Sequence, residues 1–585
     1  MKTSALTVSL VVVSALGAAQ RAFATDYYLA TTGSDSNAGT MDAPWATLQK
    51  AANTAVAGDT VWIRGGTYAI TTPVNSGAGI SFSKSGTATA NINYFAYQGE
   101  HPKFDFTNLQ ISTTGYTMGI TVSGSYLHFK GLEICCVPMN MYSNNGISVT
   151  GSAAYDTFEL LDMHGNSGNG IFVGNKSGGG HLILNCDAHD NYDATSNQGQ
   201  GQNADGFGVH YQTTGATTIV RGCRSWWNSD DGYDLINQEV PVTVENSWAM
   251  MNGYALYGTF NPADGNGNGF KMGSSKTGIR HLVQNNVAWK NKATGFYANH
   301  STGGNTWYNN TSFMNGHQYD MLASSFDSSG NVTGTIVLTG SLAHIMRNNI
   351  GYPNKNQNMD GVDTMFNTWD LNITPASTDF ASISDPSVSM TGMQIEGMGA
   401  LGPRQADGSL PDVDFLHLAA GSNMIDKGTN VGLPYLGAAP DLGAYEYGAP
   451  ATGTGGAGGA GTGSGGAAGG PGTGGASGSG GATGSGGASG TGGTTGTGGA
   501  ISTGGTTGAG GTTGAGGTGI VDAGVPPATG AGGSATSGSG GASAGESASS
   551  GCACALDAGG GSAAPGLMLG LLGALAIGRQ RRRRR

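Results

Sequence analysis

Short runs of alternating apolar and polar residues dominate the chain between residues 26 and 448. In each run the alternation lasts four to six residues, and Gly, Asn or Asp then follows, as in residues 182–186, 219–223 and 244–247. A period of two that ends at turn residues is typical of half-buried β-strands. A helical period of 3.6 residues is nearly absent. The pattern therefore predicts an all-β fold.

The predicted strands recur in a repeat. Asparagine closes successive units, and the last asparagines of these units are Asn191, Asn228, Asn252, Asn291 and Asn315. The steps between them are 37, 24, 39 and 24 residues, which fits a unit near 24 residues that is sometimes lengthened by an insertion. Such a unit suits one coil of a solenoid. Asparagine ladders at a repeated corner favour a parallel β-helix, because stacked amides satisfy each other's hydrogen bonds. We predict roughly ten coils over residues 25–448.

The beginning of this region carries one helical pattern. Residues 46–52 (Ala-Thr-Leu-Gln-Lys-Ala-Ala) predict a short helix, and residues 58–63 predict a strand after it. A short amphipathic helix at this place would cap the open end of the solenoid, which terminal units must cover.

Residues 1–24 have the features of a signal peptide. Lys2 precedes an apolar run over residues 5–18, and Ala22, Phe23 and Ala24 form a small-residue cleavage pattern. A charged start, a short apolar run and such a cleavage site direct a chain to export. We therefore expect an extracellular or cell-surface protein.

The C-terminal part has two segments of unusual composition. Residues 449–551 are almost entirely Gly, Ala, Ser and Thr, which predicts a flexible linker because so little apolar surface can be buried. Residues 552–585 contain Cys552 and Cys554, an apolar stretch over 563–578 and a cluster of arginines. A disordered basic tail is one interpretation. The order of these features resembles the C-terminal sorting tails of myxobacterial surface proteins, which implies contact with a membrane or sorting machinery and an anchor at the outer membrane.

Composition narrows the possible partners. The chain has 585 residues, of which 108 are glycine, with 11% charged residues and a formal net charge of −12. Without a basic stripe to displace counterions, nucleic acid is not an expected partner. A polyanionic substrate would also be repelled, unless bound cations reverse the local field. We expect a monomer in which residues 25–448 form a single solenoid domain.

Six cysteines are present in a chain that we expect to be exported, a context that permits disulfides. Cys186 and Cys223 hold equivalent positions in neighbouring units, so they form either a disulfide or an inward-facing stack of thiols. Cys135 and Cys136 are consecutive and should point to opposite faces of a strand. None has the spacing expected of a zinc site or a catalytic nucleophile.

The candidate catalytic residues lie in a short sequence motif, which we call the repeated word. It occurs three times, as residues 203–207, 230–234 and 268–271. Each word has a polar residue, a glycine, an aromatic residue and one further position. Aligned on this word, Asp205, Asp231 and Asn268 share the first position, whereas Gly208, Asp234 and Lys271 share the last. If the words lie on successive coils, these aspartates and the adjacent Asp230 place four carboxylates on one face of the sheet. Lys271 lies on the same face.

Four clustered carboxylates repel each other unless a cation joins them. Ca²⁺ takes six to eight oxygen ligands, so Asp205, Asp230, Asp231 and Asp234 suit a calcium site that still admits substrate. Lys271 would then be a base beside the metal. The structural alternative is a set of ordinary polar turns, since Asp and Gly are common turn residues, and a lone lysine is more often a solvated one.

At these residues the chain resembles polysaccharide lyase family 9, the calcium-dependent pectate lyases with a right-handed parallel β-helix. The likeness covers about residues 26–448 and includes residues 26–35, the strand end at 64–68 and the three words. The family's calcium ligands match Asp205, Asp230, Asp231 and Asp234, and its catalytic base matches Lys271. The closing residues 439–446 are common in such secreted β-helices. The linker and the tail lie outside the resemblance.

The resemblance implies a reaction on an acidic plant polysaccharide such as polygalacturonate. Lys271 would remove the C5 proton of a uronate, and β-elimination would leave an unsaturated sugar. Arg280, Lys290 and Lys292 are candidates for pairing with substrate carboxylates, although each is also an ordinary surface residue type. Two alternatives remain at this stage, a β-helix glycoside hydrolase with two catalytic carboxylates and a surface protein that binds polysaccharide without cutting it.

Overall fold

The structure, a computed structural model, describes residues 24–449 except for 175–176, 196–199, 256–260, 263–264, 275, 328–331, 386 and 388–396. Almost all of the predicted signal peptide, the linker beyond residue 449 and the predicted sorting tail therefore lie outside the described residues. Within the described part, no helix is long and apolar enough to cross a membrane.

Three parallel sheets form the walls of a β-helix, as the alternating pattern predicts. A twelve-stranded sheet contains Asp26–Leu29, Thr60–Ile63, Ile92–Ala96, Leu127–Lys130, Thr157–Glu159, Leu182–Leu184, Thr218–Arg221, Val242–Glu245, Leu282–Gln284, Thr306–Tyr308, Ile345–Arg347 and Asp363–Met365. A ten-stranded sheet contains Gly66–Ala69, Pro102–Asp105, Glu133–Cys135, Asp162–His164, Asp187–His189, Arg224–Trp226, Trp248–Met250, Val287–Trp289, Thr311–Phe313 and Ile350–Tyr352. A nine-stranded sheet contains Ala78–Phe82, Met118–Val122, Ile147–Val149, Ile171–Gly174, Phe207–His210, Tyr233–Gln238, Phe270–Ser274, Thr294–Tyr297 and His317–Asp320.

From Thr60 to Asp320, each coil passes through the twelve-, the ten- and the nine-stranded sheet in that order. Two small antiparallel pairs project from the coils, Tyr254–Ala255 with Asn261–Pro262 and Ala323–Phe326 with Val332–Ile336. Short 3₁₀ helices occupy Gly340–Leu342, Ser377–Asp379 and Gly399–Leu401. The repeat is visible in the register, because Leu282 pairs with Thr306, 24 residues later.

The predicted asparagine ladder is confirmed. The side-chain amides of Asn191, Asn228, Asn252, Asn291 and Asn315 form a continuous chain, each Nδ2 donating to the next Oδ1 over 2.8 to 3.0 Å. All five are buried. Because an unpaired buried amide is costly, this ladder fixes the register of the corner that precedes the nine-stranded sheet.

The predicted capping helix is also confirmed. It spans Leu48–Thr54, with Thr47 as the N-cap residue whose side chain accepts a hydrogen bond from the Lys50 N–H at 3.1 Å. The helix contacts the first strands of the twelve- and nine-stranded sheets and buries Leu48 and Ala52 in the core. It therefore covers the N-terminal end of the solenoid, where a bare edge would invite pairing with another chain.

Aromatic residues of the repeated word form a column inside the coils. Phe207, Tyr233, Phe270, Phe296 and Tyr319 stack on each other with ring centroids 4.6 to 5.2 Å apart. All of them are buried. Since neighbouring residues of a strand point to opposite faces, this inward column forces the residues beside each aromatic outward, where the candidate site lies.

A C-terminal segment, which comprises the described residues between 380 and 445, lies against the outer face of the ten-stranded sheet, and we call it the strap. Its apolar side chains, among them Phe415, pack on an outward aromatic face that includes Trp226, Trp248 and Trp289. Trp248 donates from Nε1 to the Tyr445 hydroxyl at 2.8 Å. Sheet residues that alternation alone would place in solvent are thus buried.

Two expectations about cysteine are resolved by the structure. Cys186 and Cys223 are free and buried, with the Cys186 N–H donating to Cys223 Sγ at 3.4 Å, so they form the thiol stack and no disulfide. The expectation that Cys135 and Cys136 point to opposite faces is wrong, because their sulfurs lie within 4.8 Å of each other. Cys136 has a φ of +70°, which breaks the strand alternation and turns its thiol back toward Cys135.

Candidate active site

The three repeated words align on successive coils as predicted. In the nine-stranded sheet Gly208 pairs with Asp234, and Asp234 pairs with Lys271. Asp234 and Lys271 are therefore outward-facing neighbours on adjacent strands. This register carries the whole site, because a slip of one residue would turn both side chains into the core.

The first position of the words forms a second ladder. Asn169, Asp205, Asp231 and Asn268 each accept, through Oδ1, a hydrogen bond from the backbone N–H of the same position one coil further, ending at Thr294. The N···O distances run from 2.6 to 3.2 Å. Aspartate has the same Oδ1 acceptor as asparagine, so Asp205 and Asp231 form the same hydrogen bonds as the asparagines of the ladder. The two aspartates therefore add negative charge without breaking the ladder.

Asp230 joins this group from the corner before the strand. Its Oδ1 accepts a hydrogen bond from the Asn266 N–H at 2.7 Å. Ligand oxygens of Asp205, Asp230 and Asp231 all lie within 4.8 Å of one another, and all three residues are buried. Hydrogen bonds from Asn266 and Asn268 thus hold the acids in place from the following coil.

Lys271 lies between two of these acids. Its Nζ is 2.9 Å from Asp231 Oδ2 and 3.2 Å from Asp234 Oδ2, and the residue is only 6% exposed. Burial disfavours the ammonium, but the negative charges of Asp231 and Asp234 outweigh it and raise the pKa of Lys271 well above its usual range. The amine is therefore held at the acid cluster as a cation.

The acids themselves are hard to ionise in this setting. Burial, and then repulsion from neighbouring carboxylates, raises the pKa of Asp205 and Asp230 well above the usual value for aspartate. Burial raises the pKa of Asp234 to about 7, although Lys271 opposes this shift. A group of acids with raised pKa values beside a buried lysine is typical of a functional site rather than of a polar turn.

His210 is a site residue that the sequence pattern did not reveal. It follows Gly208 on the same face of one strand, and its Nε2 lies 3.5 Å from Asp234 Oδ2. Burial lowers the pKa of His210 to about 3, so the ring is neutral. A Cβ at Gly208 would stand 3.2 Å from His210 Nε2 and closer still to Asn169. Gly208, at the last position of the first word, therefore leaves the space that the neighbouring side chains of His210 and Asn169 occupy.

The three predicted substrate-binding cations lie at different places. Arg280 donates to the backbone carbonyls of Asn305, Ser341 and Ala343, at the corner before the twelve-stranded sheet. Lys292 donates to Gly265 O at 2.7 Å, beside the segment that holds Asp230. Lys290 follows the ten-stranded sheet in a left-handed conformation. Their contact with substrate stays a prediction.

Three tyrosines downstream of the acids, Tyr254, Tyr257 and Tyr297, are candidates for stacking on sugar rings. Tyr297 pairs in register with Lys271 and is its neighbour on the next coil. Tyr254 contacts Trp227 with ring centroids 5.8 Å apart. Tyr257 lies outside the described residues. Tyr297 is therefore the aromatic side chain best placed to meet a sugar next to the lysine.

The donor set fits a hard divalent cation. Four carboxylates converge from two consecutive coils, and among the described residues Asp234 Oδ1 is buried without a hydrogen-bond partner. A buried carboxylate oxygen without a partner is costly unless a ligand or ion contacts it. Oxygen-only donors favour Ca²⁺ over the transition metals.

Comparison with known proteins agrees with this architecture. Residues 27–349 match the family model described as Pel9A-like, right handed beta helix region. Pectate lyase L of Dickeya chrysanthemi is 33% identical over 421 residues, which cover 72% of this chain and 90% of the relative. Pectate lyase PEL9 of Emericella nidulans is 31% identical over 430 residues, which cover 68% of this chain and 94% of the relative.

Solved structures give the same result. The crystal structure of pectate lyase Pel9A superposes with a TM-score of 0.57 at 30% identity, over 73% of this chain and 97% of that protein. A rhamnogalacturonan lyase superposes with a TM-score of 0.58 at 30% identity, over 68% of this chain and 96% of that protein. Both are lyases, which overturns the hydrolase and the non-catalytic alternatives. With its lysine and acids in register on a right-handed parallel β-helix, the chain belongs to polysaccharide lyase family 9 and is a polysaccharide lyase.

Proposed function

We propose that this lyase is a calcium-dependent pectate lyase, which cleaves polygalacturonate by β-elimination and releases 4,5-unsaturated oligogalacturonides. The observation that carries the proposal is the position of Lys271 Nζ, 2.9 Å from Asp231 and 3.2 Å from Asp234 at the edge of a buried acid cluster. A base and a cation site side by side are what proton removal next to a carboxylate requires. The pectate lyases among the relatives support the choice of substrate.

In this proposal Asp205, Asp230, Asp231 and Asp234 hold the Ca²⁺. When bound, the cation supplies positive charge that acidifies the C5 proton of the uronate and offsets the carboxylates that raise the pKa of Lys271. With the carboxylates offset in this way, Lys271 first loses its own proton to solvent, and the neutral Nζ then accepts the C5 proton. The C4–O bond then breaks, the electron pair of the C5–H bond forms the C4–C5 double bond, and the leaving oxygen takes a proton from solvent.

Other residues of the site position these groups. Asn266 and Asn268 donate their backbone N–H groups to Asp230 and Asp231, so the acids keep their orientation when substrate enters. The burial of Lys271 excludes bulk water from the base, and a base held in one position contributes more than a mobile one. The same proposal includes export by residues 1–24, anchoring at the cell surface by residues 552–585 and action as a monomer. These three points rest on the sequence.

The reaction is tested by incubating the purified chain with polygalacturonate and Ca²⁺ while ultraviolet absorbance is followed. We expect absorbance to rise as unsaturated ends form, and to stay flat when Ca²⁺ is chelated. Rhamnogalacturonan is the second substrate to test, because a rhamnogalacturonan lyase shares the fold at 30% identity. A rise with rhamnogalacturonan alone would overturn pectate as the substrate. A rise that survives chelation would overturn calcium dependence.

Changing Asp231 to Asn should weaken calcium binding while the fold is retained. Asparagine still offers Oδ1 to the Asn268 N–H, which Asp231 contacts at 2.6 Å, but it removes one negative charge from the cluster. We expect activity to fall at low calcium and to recover in part at high calcium, measured as a calcium titration of the elimination rate. Asp360→Asn removes an exposed carboxylate and serves as the control, with an unchanged calcium dependence. An unchanged titration for Asp231→Asn would show that this residue is not a ligand.

A further inference from the structure

A second cluster of metal-ligating side chains lies on the outer face of the ten-stranded sheet. Cys135 pairs in register with Asp105 on the preceding coil and with His164 on the following one. The residues just before Asp105, Cys135 and His164 point into the core, so these three side chains form an outward column. The lyase site, in contrast, lies on the nine-stranded sheet. The two groups share no residue.

Cys136 adds a second thiol to this column. Its left-handed backbone, with φ at +70°, returns the thiol to the face that Cys135 occupies, and the two sulfurs lie within 4.8 Å of each other. The Cys136 N–H donates to the His164 carbonyl at 3.1 Å, which fixes the turn to the next coil. The same left-handed conformation recurs after later strands of this sheet, for example at Asp190 and Trp227, and at Cys136 it brings two sulfurs together.

Two overlapping groups of three side chains have the spacing of metal ligands. Ligand atoms of Asp105, Cys135 and Cys136 lie within 4.8 Å of one another, and so do those of Glu133, Cys135 and His164. Cys135 belongs to both groups and is buried, whereas the others are half-buried and open to solvent. An ion could therefore enter from the surface and reach the shared sulfur.

Charge and hydrogen bonding around the cluster support a bound cation. Glu133 Oε1 lies 3.0 Å from His164 Nε2 and 2.6 Å from Lys103 Nζ. A carboxylate that holds the ring of a ligating histidine is a common support in metal sites, because it fixes the ring orientation. With both thiols ionised, Asp105, Glu133 and the two sulfurs carry four negative charges. Lys103 offsets one of them, so the cluster keeps a net negative charge that attracts a divalent cation.

We propose that Cys135, Cys136 and Asp105 bind a thiophilic divalent cation, with Zn²⁺ as the preferred ion, and that His164, which shares the Cys135 sulfur in the second group, turns in to complete the site. Two sulfurs, an imidazole and a carboxylate are the donors that tetrahedral Zn²⁺ takes, whereas Ca²⁺ takes oxygen alone. Binding displaces the thiol protons to solvent. The ion would join three consecutive coils and stabilise the N-terminal half of the solenoid. The proposal does not depend on the identity of the lyase substrate.

Cobalt is the probe that separates this site from the carboxylate site. The full chain, with Cys552 and Cys554 replaced by Ser, is titrated with Co²⁺ and then with Zn²⁺ in excess Ca²⁺. We expect one equivalent of Co²⁺ to give a sulfur-to-metal charge-transfer band, and Zn²⁺ to abolish it by displacement. Carboxylate ligands give no such band, so the readout is independent of lyase activity.

Cys136→Ser and Asp105→Asn test the ligands separately. The serine variant should lose most of the band, and each variant should weaken Zn²⁺ binding by more than the roughly 10–100-fold that a supporting residue contributes. Cys186→Ala removes a thiol from the core stack and is the matched control, with an unchanged band. Circular dichroism confirms that each variant is folded.

Three results would overturn the proposal. The first is an absent band in the folded parent chain. The second is a band that Cys136→Ser leaves intact. The third is that Cys135 and Cys136 resist alkylation until a reductant is added and bind no Co²⁺ after reduction. A disulfide between the two consecutive cysteines would then explain why they lie together.

Discussion

Changing Lys271 to Ala should reduce turnover by about 10²–10⁴-fold, the usual contribution of a positioned base. The variant removes Nζ from between Asp231 and Asp234 without removing a carboxylate. Calcium binding, measured by calorimetry, should stay intact or tighten, because a neighbouring positive charge has gone. Added calcium should therefore fail to restore activity, in contrast to Asp231→Asn.

Lys130→Ala is the control for this experiment. Lys130 lies on the twelve-stranded sheet, paired with Glu159 at 2.8 Å, and its side chain is 43% exposed. Its loss should leave both the turnover and the calcium affinity unchanged. If Lys271→Ala retained substantial turnover, another residue would have to be the base. If it lost calcium binding while remaining folded, Lys271 would be a support of the metal site instead.

Changing Asp187 to Ala should lower the free energy of unfolding by about 3–5 kcal/mol, the cost of breaking a buried ion pair from one side. Asp187 receives two hydrogen bonds from Arg224, at 2.7 and 2.6 Å, and two from Arg404 of the strap, at 2.6 and 3.4 Å. Without it, two nearly buried guanidinium groups lose their counter-charge where the strap meets the sheet. Urea denaturation followed by tryptophan fluorescence measures the loss.

The same contact predicts how stability depends on pH. Burial alone would raise the pKa of Asp187, but Arg224 and Arg404 outweigh it and hold this pKa well below its usual range. A lowered pKa stabilises the folded state above the ordinary aspartate value near 3.9, and the contribution is lost as the pH falls below that value. The difference between wild type and Asp187→Ala should therefore shrink in acid.

Asp162→Asn is the matched control for Asp187→Ala. Asp162 pairs in register with Asp187 on the preceding coil, but its side chain is 46% exposed and contacts only His189 among the described ion pairs. The cost should not exceed about 1 kcal/mol. Equal costs for the two substitutions would show that Asp187 does not fasten the strap.

The repeated word made the lyase site predictable. In each word a glycine and a buried aromatic fix which residue faces outward, so Asp234 and Lys271 could be placed side by side from spacing alone. The asparagine ladder was predictable for a similar reason, since an amide column needs a partner in every coil. Both features depend on the repeat and on nothing distant in sequence.

Features that depend on special backbone or on distant contacts were not predictable. His210 reaches Asp234 because Gly208 leaves room, which no periodicity records. Cys136 joins Cys135 through a left-handed residue that a strand pattern excludes. The carbonyl groups that accept hydrogen bonds from Arg280 come from a later coil and a 3₁₀ turn. The sequence pattern does not reveal these contacts, so it predicts an arginine that is available to bind substrate.

The strap has a consequence for how the chain is made. Arg404 follows Asp187 by 217 residues, so the aromatic face of the ten-stranded sheet is synthesised long before its cover. The apolar side chains of the early coils are covered by neighbouring coils and by the helix at Leu48–Thr54. The coils that carry Trp226, Trp248 and Trp289, in contrast, expose large apolar side chains until the strap has been synthesised. A nascent or truncated chain that stops before residue 380 presents this surface to other chains and is prone to aggregate. Recombinant versions of the enzyme should accordingly keep every residue through 446.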